Sequence, residues 1–173
     1  IRIRYHSLRH ATPDEVCVPI DPISYLSKEE QEQHYGDIRR NLADCSNRKH
    51  LPDSEFAALC SSGHCFGYSW ESPNGRTSSE YWASFQVTAL DFDDTLPLGN
   101  FLERCDAAGI HSAFAYKTFG YGVRGERFRS VFILTHRVHD IQIWNAIMQS
   151  LKAVFPEADN CLDAAHVFRG GKG

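Results

Sequence analysis

The sequence predicts an α+β fold with a mostly antiparallel sheet, and three features of its second half carry that prediction. Residues 82–92 (WASFQVTALDF) form an apolar run suited to one buried strand. Two further strand-like segments, His111–Lys117 and Arg127–Thr135, flank the glycine-bearing stretch 119–126, the pattern of an antiparallel hairpin. Two helical patterns complete the set. Leu98–Ala108 is amphipathic and closed by Gly109, and Asp140–Phe155 sets Ile141, Trp144, Ile147, Met148, Leu151 and Phe155 on one stripe. The order strand–helix–strand–strand–helix, with room for one more strand in the tail, is that of a split βαβ unit.

From the start of the chain, Ile1–His6 alternates apolar and basic residues, as a half-exposed strand does. Residues 12–24 hold three prolines and read as an ordered loop. Ser27 followed by Glu30 is a capping-box pattern that opens a very polar helix through SKEEQEQHYGDIRRNL, expected at the surface. Pro52–Cys60 is a second short helix, with Ser54 as its cap and Gly63 closing it. Phe66–Trp70 is a short aromatic strand and Ser72–Ser79 a turn. The chain is expected to be one domain, residues 1–173, with an N-terminal part over about 1–80 and a second part over about 81–173.

With 173 residues, 42% of them hydrophobic, there is enough material for one sizeable core. The net charge of −4 argues against coating nucleic acid by bulk charge but permits a local basic patch. No apolar run is long enough to span a membrane and no secretion signal is evident, so the expectation is a cytoplasmic protein with reduced thiols. The first residue is Ile, which reads as a piece of a larger protein. The six cysteines include no CxxC pair. Cys60, His64 and Cys65, with Cys45 and His50 upstream, raise the question of zinc. Adjacent His64 and Cys65 are awkward for one tetrahedral site, and buried free thiols are the plainer reading.

The chemistry is concentrated in VTALDFDDTL. On a strand, Asp91 and Asp93 share one face while Phe92 packs behind them. Two adjacent carboxylates are costly unless a cation neutralises them, and hard oxygen ligands select Mg²⁺ or Mn²⁺. Asp94 is expected to cap the following helix. Downstream, Lys117, Arg124, Arg127, Arg129 and Arg137 face only Glu126, so the stretch 117–137 is net positive. Arg127 and Arg129 project to one strand face, where their forks can take phosphate oxygens. Trp70, Tyr81 and Trp82 are read as core aromatics before base-stacking ones.

Two resemblances follow from these residues. DFDDTL resembles the first motif of haloacid-dehalogenase-type phosphatases. That implies Asp91 as nucleophile, Asp93 as acid/base, Thr118 as the second motif, and Asp159 with Asp163 as the distal acidic pair. The order of elements over residues 55–173 is more similar to the archaeo-eukaryotic primase superfamily, especially the primase-polymerase domains of plasmid, phage and mobile-element replication proteins. There a strand ending in Asp-x-Asp/Glu is followed by a helix, a basic hairpin (here KTFGYGVRGERFRSVFIL), and a third acidic residue before an arginine-bearing segment (here DNCLDAAHVFRGG). Where that family commonly carries Ser-x-His, this chain has Arg129-Ser130-Val131.

This second resemblance implies a primase-like catalytic core on a ferredoxin/RRM-like split βαβ unit. It implies template-dependent nucleotidyl transfer, as DNA primase and/or DNA polymerase, by a two-metal mechanism using Mg²⁺ or Mn²⁺. Asp91, Asp93 and Asp159 would be the catalytic metal ligands. Arg127, Arg129, Lys117, Arg169 and His166 would bind the nucleoside triphosphate, and Arg124 and Lys172 the nucleic acid. The implied partners are a DNA template or primer, nucleoside triphosphates and a helicase domain or subunit, with no membrane. A third reading is a replication-initiator module that binds nucleic acid without catalysis.

Overall fold

The computed structural model describes residues 15–122, 125–159 and 162–172. The strand expected over Ile1–His6 lies outside them.

The first described element corrects the sequence reading. Val16–Ser24 is not a loop but a strand, β1, with Val16, Val18 and Ile20 buried, and it lies between two other strands. Burial on both faces removes the polar–apolar alternation by which a strand is read, and the prolines conceal the rest. Pro19 sits at the last registered pair with the neighbouring strand, and Pro22 falls where the pairing on the other side shifts register, positions that tolerate a missing N–H.

The polar run after Ser27 is two helices, α1 (Lys28–Gln33) and α2 (Tyr35–Ala43), divided at His34. The capping box is half as expected. The Ser27 hydroxyl accepts the Glu30 N–H at 3.1 Å, but Glu30 reaches back to the Leu26 N–H, at 2.6 Å. α2 is not purely a surface helix, since Ile38 and Leu42 are buried in the core. β2 (Arg48–Leu51) and α3 (Asp53–Ser61) follow, the latter entered through Pro52 without the side-chain cap expected from Ser54.

The single aromatic strand expected over Phe66–Trp70 is two, β3 (His64–Gly67) and β4 (Ser69–Trp70), and they join different sheets. β5 (Trp82–Asp93), α4 (Leu98–Ala108), β6 (Phe114–Lys117), β7 (Arg127–Val138) and α5 (Ile141–Val154) appear in the predicted order. Gly109 adopts the left-handed conformation that closes α4, and Asp140 caps α5 through the Gln142 N–H. A last strand, β8, holds only Val167–Phe168.

These strands make two four-stranded sheets, β2-β1-β3-β8 and β4-β5-β7-β6, with every registered pairing antiparallel. β5 and β6 both run antiparallel to β7, which lies between them, and α4 joins them, so the split βαβ unit is present. The closing strand departs from a ferredoxin-like sheet. β4 takes the place beside β5, while β8 pairs with β3 in the other sheet. The physical reason is aromatic: Phe168 stacks on Phe66 at 4.9 Å between centroids, edge-on to Tyr68.

One hydrophobic cluster runs through both halves, from Val16 to Phe168. Gln86 reinforces the link: its amide oxygen accepts the Cys17 N–H at 3.1 Å and its NH₂ donates to the Leu134 carbonyl at 3.2 Å. Trp70 and Trp144 are both 2% exposed, which makes them core residues. No helix among the described residues is long and apolar enough to cross a membrane.

Candidate functional site

Pairing of β5 with β7 sets DFD directly against RFR. The register places Asp91 opposite Arg129, Phe92 opposite Phe128 and Asp93 opposite Arg127. Side chains alternate across a sheet, so the two phenylalanines face the core together, stacked at 4.8 Å, while the four charged residues share the other face. The paired carboxylates do have cations beside them, and those cations are the two arginines.

The two rungs differ in depth. Arg129 has a side chain 7% exposed and Asp91 one of 16%. The guanidinium forks onto both Asp91 oxygens, through Nε to Oδ1 and through Nη2 to Oδ2 at 2.5 Å. Its remaining nitrogen, Nη1, donates to the Tyr116 hydroxyl at 3.1 Å and to the Arg169 carbonyl. Burial opposes the charge on Arg129, but Asp91 and Tyr116 together outweigh it and hold the guanidinium protonated well above the usual range. Burial likewise raises the Tyr116 phenol, which stays protonated and donates to the Arg169 carbonyl at 2.8 Å. Arg127, by contrast, makes one bond, from Nη2 to Asp93 Oδ2, and its side chain is 19% exposed against 37% for Asp93.

This ladder opens onto a cleft of about 870 Å³. Asp91, Asp93 and Asp159 border it, as do Arg127, Arg129, His166, Arg169 and Lys172. The Asp159 N–H donates to the Asp91 carbonyl at 2.8 Å, which fixes the third carboxylate's backbone beside the first. Burial and nearby Arg129 push His166 below the ordinary histidine range, so it is held neutral. Arg169 lies 5.5 Å from the Tyr35 ring centre and reaches Glu32 at 3.3 Å. Lys117 is not among the residues that border the cleft. Its ammonium sits 4.7 Å over the Tyr121 ring, and its carbonyl accepts the Lys172 N–H at 3.1 Å. Arg124 lies outside the described residues.

Hard oxygen donors at one cleft suit Mg²⁺ or Mn²⁺. Among the described residues, however, no group of three or more His, Cys, Asp or Glu is arranged to hold a metal ion. Asp91 and Asp93 are turned to Arg129 and Arg127 instead. The donor chemistry fits a divalent cation: Asp93 would meet one by leaving Arg127, while Asp91, forked by Arg129, keeps a second lone pair on each oxygen. Cys60 and Cys65 are buried free thiols, burial pushes Cys65 up to about 11, and His64 Nδ1 lies 3.1 Å from the Ser62 hydroxyl.

Asp94 does not cap α4. It has φ 59°, and its carboxylate accepts the Glu126 N–H at 3.2 Å. Glu126 in turn accepts the Leu98 N–H at 2.9 Å, so the first turn of α4 is capped from the β6–β7 loop. A side chain at Gly125 would collide with the Asp94 carboxylate, which is why this loop needs glycine there.

The second wall of the cleft, from α1 and Tyr35, was not foreseen. Gln31 is fully buried, and its NH₂ bridges the Gly63 carbonyl at 3.3 Å and the Gly170 carbonyl at 3.2 Å. It thereby ties α1 to the tail. The tail runs tight against β6, where a Cβ at Gly171 would collide with the Lys117 carbonyl. The Gly-Gly pair was the only sequence signal for this close approach.

No protein-family model, no curated protein and no solved structure matches the chain.

Proposed function

We propose that the cleft binds a nucleoside triphosphate with Mg²⁺ or Mn²⁺, and that the chain is the catalytic domain of a template-dependent nucleotidyltransferase, a DNA primase and/or DNA polymerase. The observation that carries this reading is the facing of DFD and RFR on adjacent strands, at the edge of one cleft shared with Asp159, His166, Arg169 and Lys172. Few chemistries need carboxylates and arginines interleaved in this way. A metal-bound polyphosphate is one, since it presents a cation to the carboxylates and oxyanions to the guanidiniums.

In this reading Asp91, Asp93 and Asp159 would hold the cation. When bound, it supplies activation of the attacking 3′-hydroxyl and neutralisation of the pyrophosphate leaving group. Arg127 takes phosphate oxygens. Arg129, with its nitrogens committed to Asp91, Tyr116 and the Arg169 carbonyl, sets the position of Asp91. Arg169 and Lys172 add positive charge along the cleft toward triphosphate or template, and neutral His166 supplies a ring nitrogen at its edge. Partners would be a DNA template or primer, with a helicase domain or subunit in replication of a mobile element.

The antiparallel pairing on both sides of β7 weighs against the phosphatase alternative, whose motif belongs to a parallel sheet. The saturated Asp91–Arg129 pair favours a second reading, a nucleic-acid-binding module without catalysis. One assay separates the three: primed and unprimed DNA templates, labelled nucleotides and Mn²⁺, with Asp93→Asn as control. Template-dependent incorporation lost in the variant is expected. Template binding without incorporation would favour the binding module, and hydrolysis of a phosphomonoester without incorporation would favour the phosphatase.

A further inference from the structure

Resting on that reading, we propose that Arg127 is an internal counter-ion of the cleft, so that a divalent cation and a polyphosphate are taken as one paired ligand and either alone binds weakly. Asp93 and Arg127 neutralise each other across the β5–β7 ladder, and both border the cleft. The pattern repeats on the opposite wall, where Glu32 lies 3.6 Å from Lys28 and 3.3 Å from Arg169. Charged side chains on both walls of the cleft are thus paired with one another.

Cation binding at Asp93 alone must break the pair and leave the Arg127 guanidinium beside a second positive charge. Polyphosphate binding at Arg127 alone must leave Asp93 unpaired, close to Asp91 and to the incoming oxyanions. When both arrive, the carboxylate exchanges guanidinium for cation and the guanidinium exchanges carboxylate for phosphate. No charge is left without a partner, and the two affinities are coupled reciprocally.

Arg127 is suited to this exchange and Arg129 is not. Arg127 makes one side-chain bond, and its stem lies over Gly120, where a Cβ would meet Arg127 Cδ at 2.9 Å. Arg129 has every nitrogen engaged and is buried.

Calorimetry on the full chain tests this with three probes: Mn²⁺ alone, tripolyphosphate alone, and the preformed Mn²⁺–tripolyphosphate complex. Arg127→Ala is expected to bind Mn²⁺ alone about fivefold or more tighter than the wild type, and Asp93→Asn to bind tripolyphosphate alone tighter by a similar factor. Both variants should bind the complex more weakly. Arg127→Gln, which keeps bulk and removes charge, repeats the Mn²⁺ measurement should the alanine variant not fold, as judged by circular dichroism. Tight binding of the complex by the wild type, with no gain for Mn²⁺ in Arg127→Ala or Arg127→Gln, would overturn the counter-ion role and leave the functional reading standing. No binding of the complex by the wild type would overturn both.

Discussion

Asp91–Arg129 and Asp93–Arg127 are the same pair of residue types on the same two strands, one side-chain repeat apart, yet the surroundings give them different roles. The inner pair is nearly closed to solvent, forked, and braced by Tyr116 and the Arg169 carbonyl. The outer pair is partly open and held by one bond. The lesson is that residue type and spacing identify a charged site, while depth decides which members can change partners. A buried pair broken on one side leaves an uncompensated charge, whereas an exposed pair is screened and contributes little.

The largest test of this contrast is stability. Arg129→Met should cost about 3–5 kcal/mol, the range for removing one partner of a buried ion pair, read from denaturant unfolding. Arg129→Lys should recover only part of that, because a point charge cannot span both Asp91 oxygens and still reach Tyr116. Combining Arg129→Met with Asp91→Asn should be less destabilising than the single arginine change, since no charge is then stranded. A loss under about 1 kcal/mol in Arg129→Met would erase the distinction between the two rungs.

On the outer rung, Arg127→Ala should change unfolding stability by about 0–1 kcal/mol, the usual range for a pair open to solvent. A larger loss would mean that the outer pair, too, is structural.

The smallest expected effect is in pH. His166 is held below its ordinary value of 6.5, by burial first and then by Arg129. As pH falls through 6.5, the unfolded chain takes up a proton that the folded chain refuses, so stability declines until pH passes the lowered folded value. His166→Gln should flatten that part of the stability profile between pH about 7.5 and about 5. An unchanged profile would mean that His166 is not held neutral.

What was legible in the sequence was local. α4 ends at Gly109 as read, α5 starts at Asp140, and β5 carries its carboxylates at the cleft edge, because caps, stripes and apolar runs are written in neighbouring residues. β1 was missed because it is buried on both faces and broken by proline, and the tail strand, expected to close the β5–β7 sheet, is a two-residue β8 whose pairing with β3 no local period could signal. The site shows the same division. The cost of two adjacent carboxylates was evident from DFD, and the shared face of Arg127 and Arg129 from the alternation in RFR. That each answers the other depends on strand register, which no single segment encodes. The α1 wall, with buried Gln31 tied to the Gly170 carbonyl, joins residues far apart in the chain and left no local trace.

In the proposed mechanism Arg127 is the arginine that meets the nucleotide. Its most direct test is the affinity of Arg127→Ala for a nucleoside triphosphate in the presence of Mn²⁺, measured beside its unfolding midpoint. The prediction is a loss of roughly 1.5–3 kcal/mol in binding, about tenfold or more, with the fold stability nearly unchanged. Wild-type affinity in this variant would contradict the assignment.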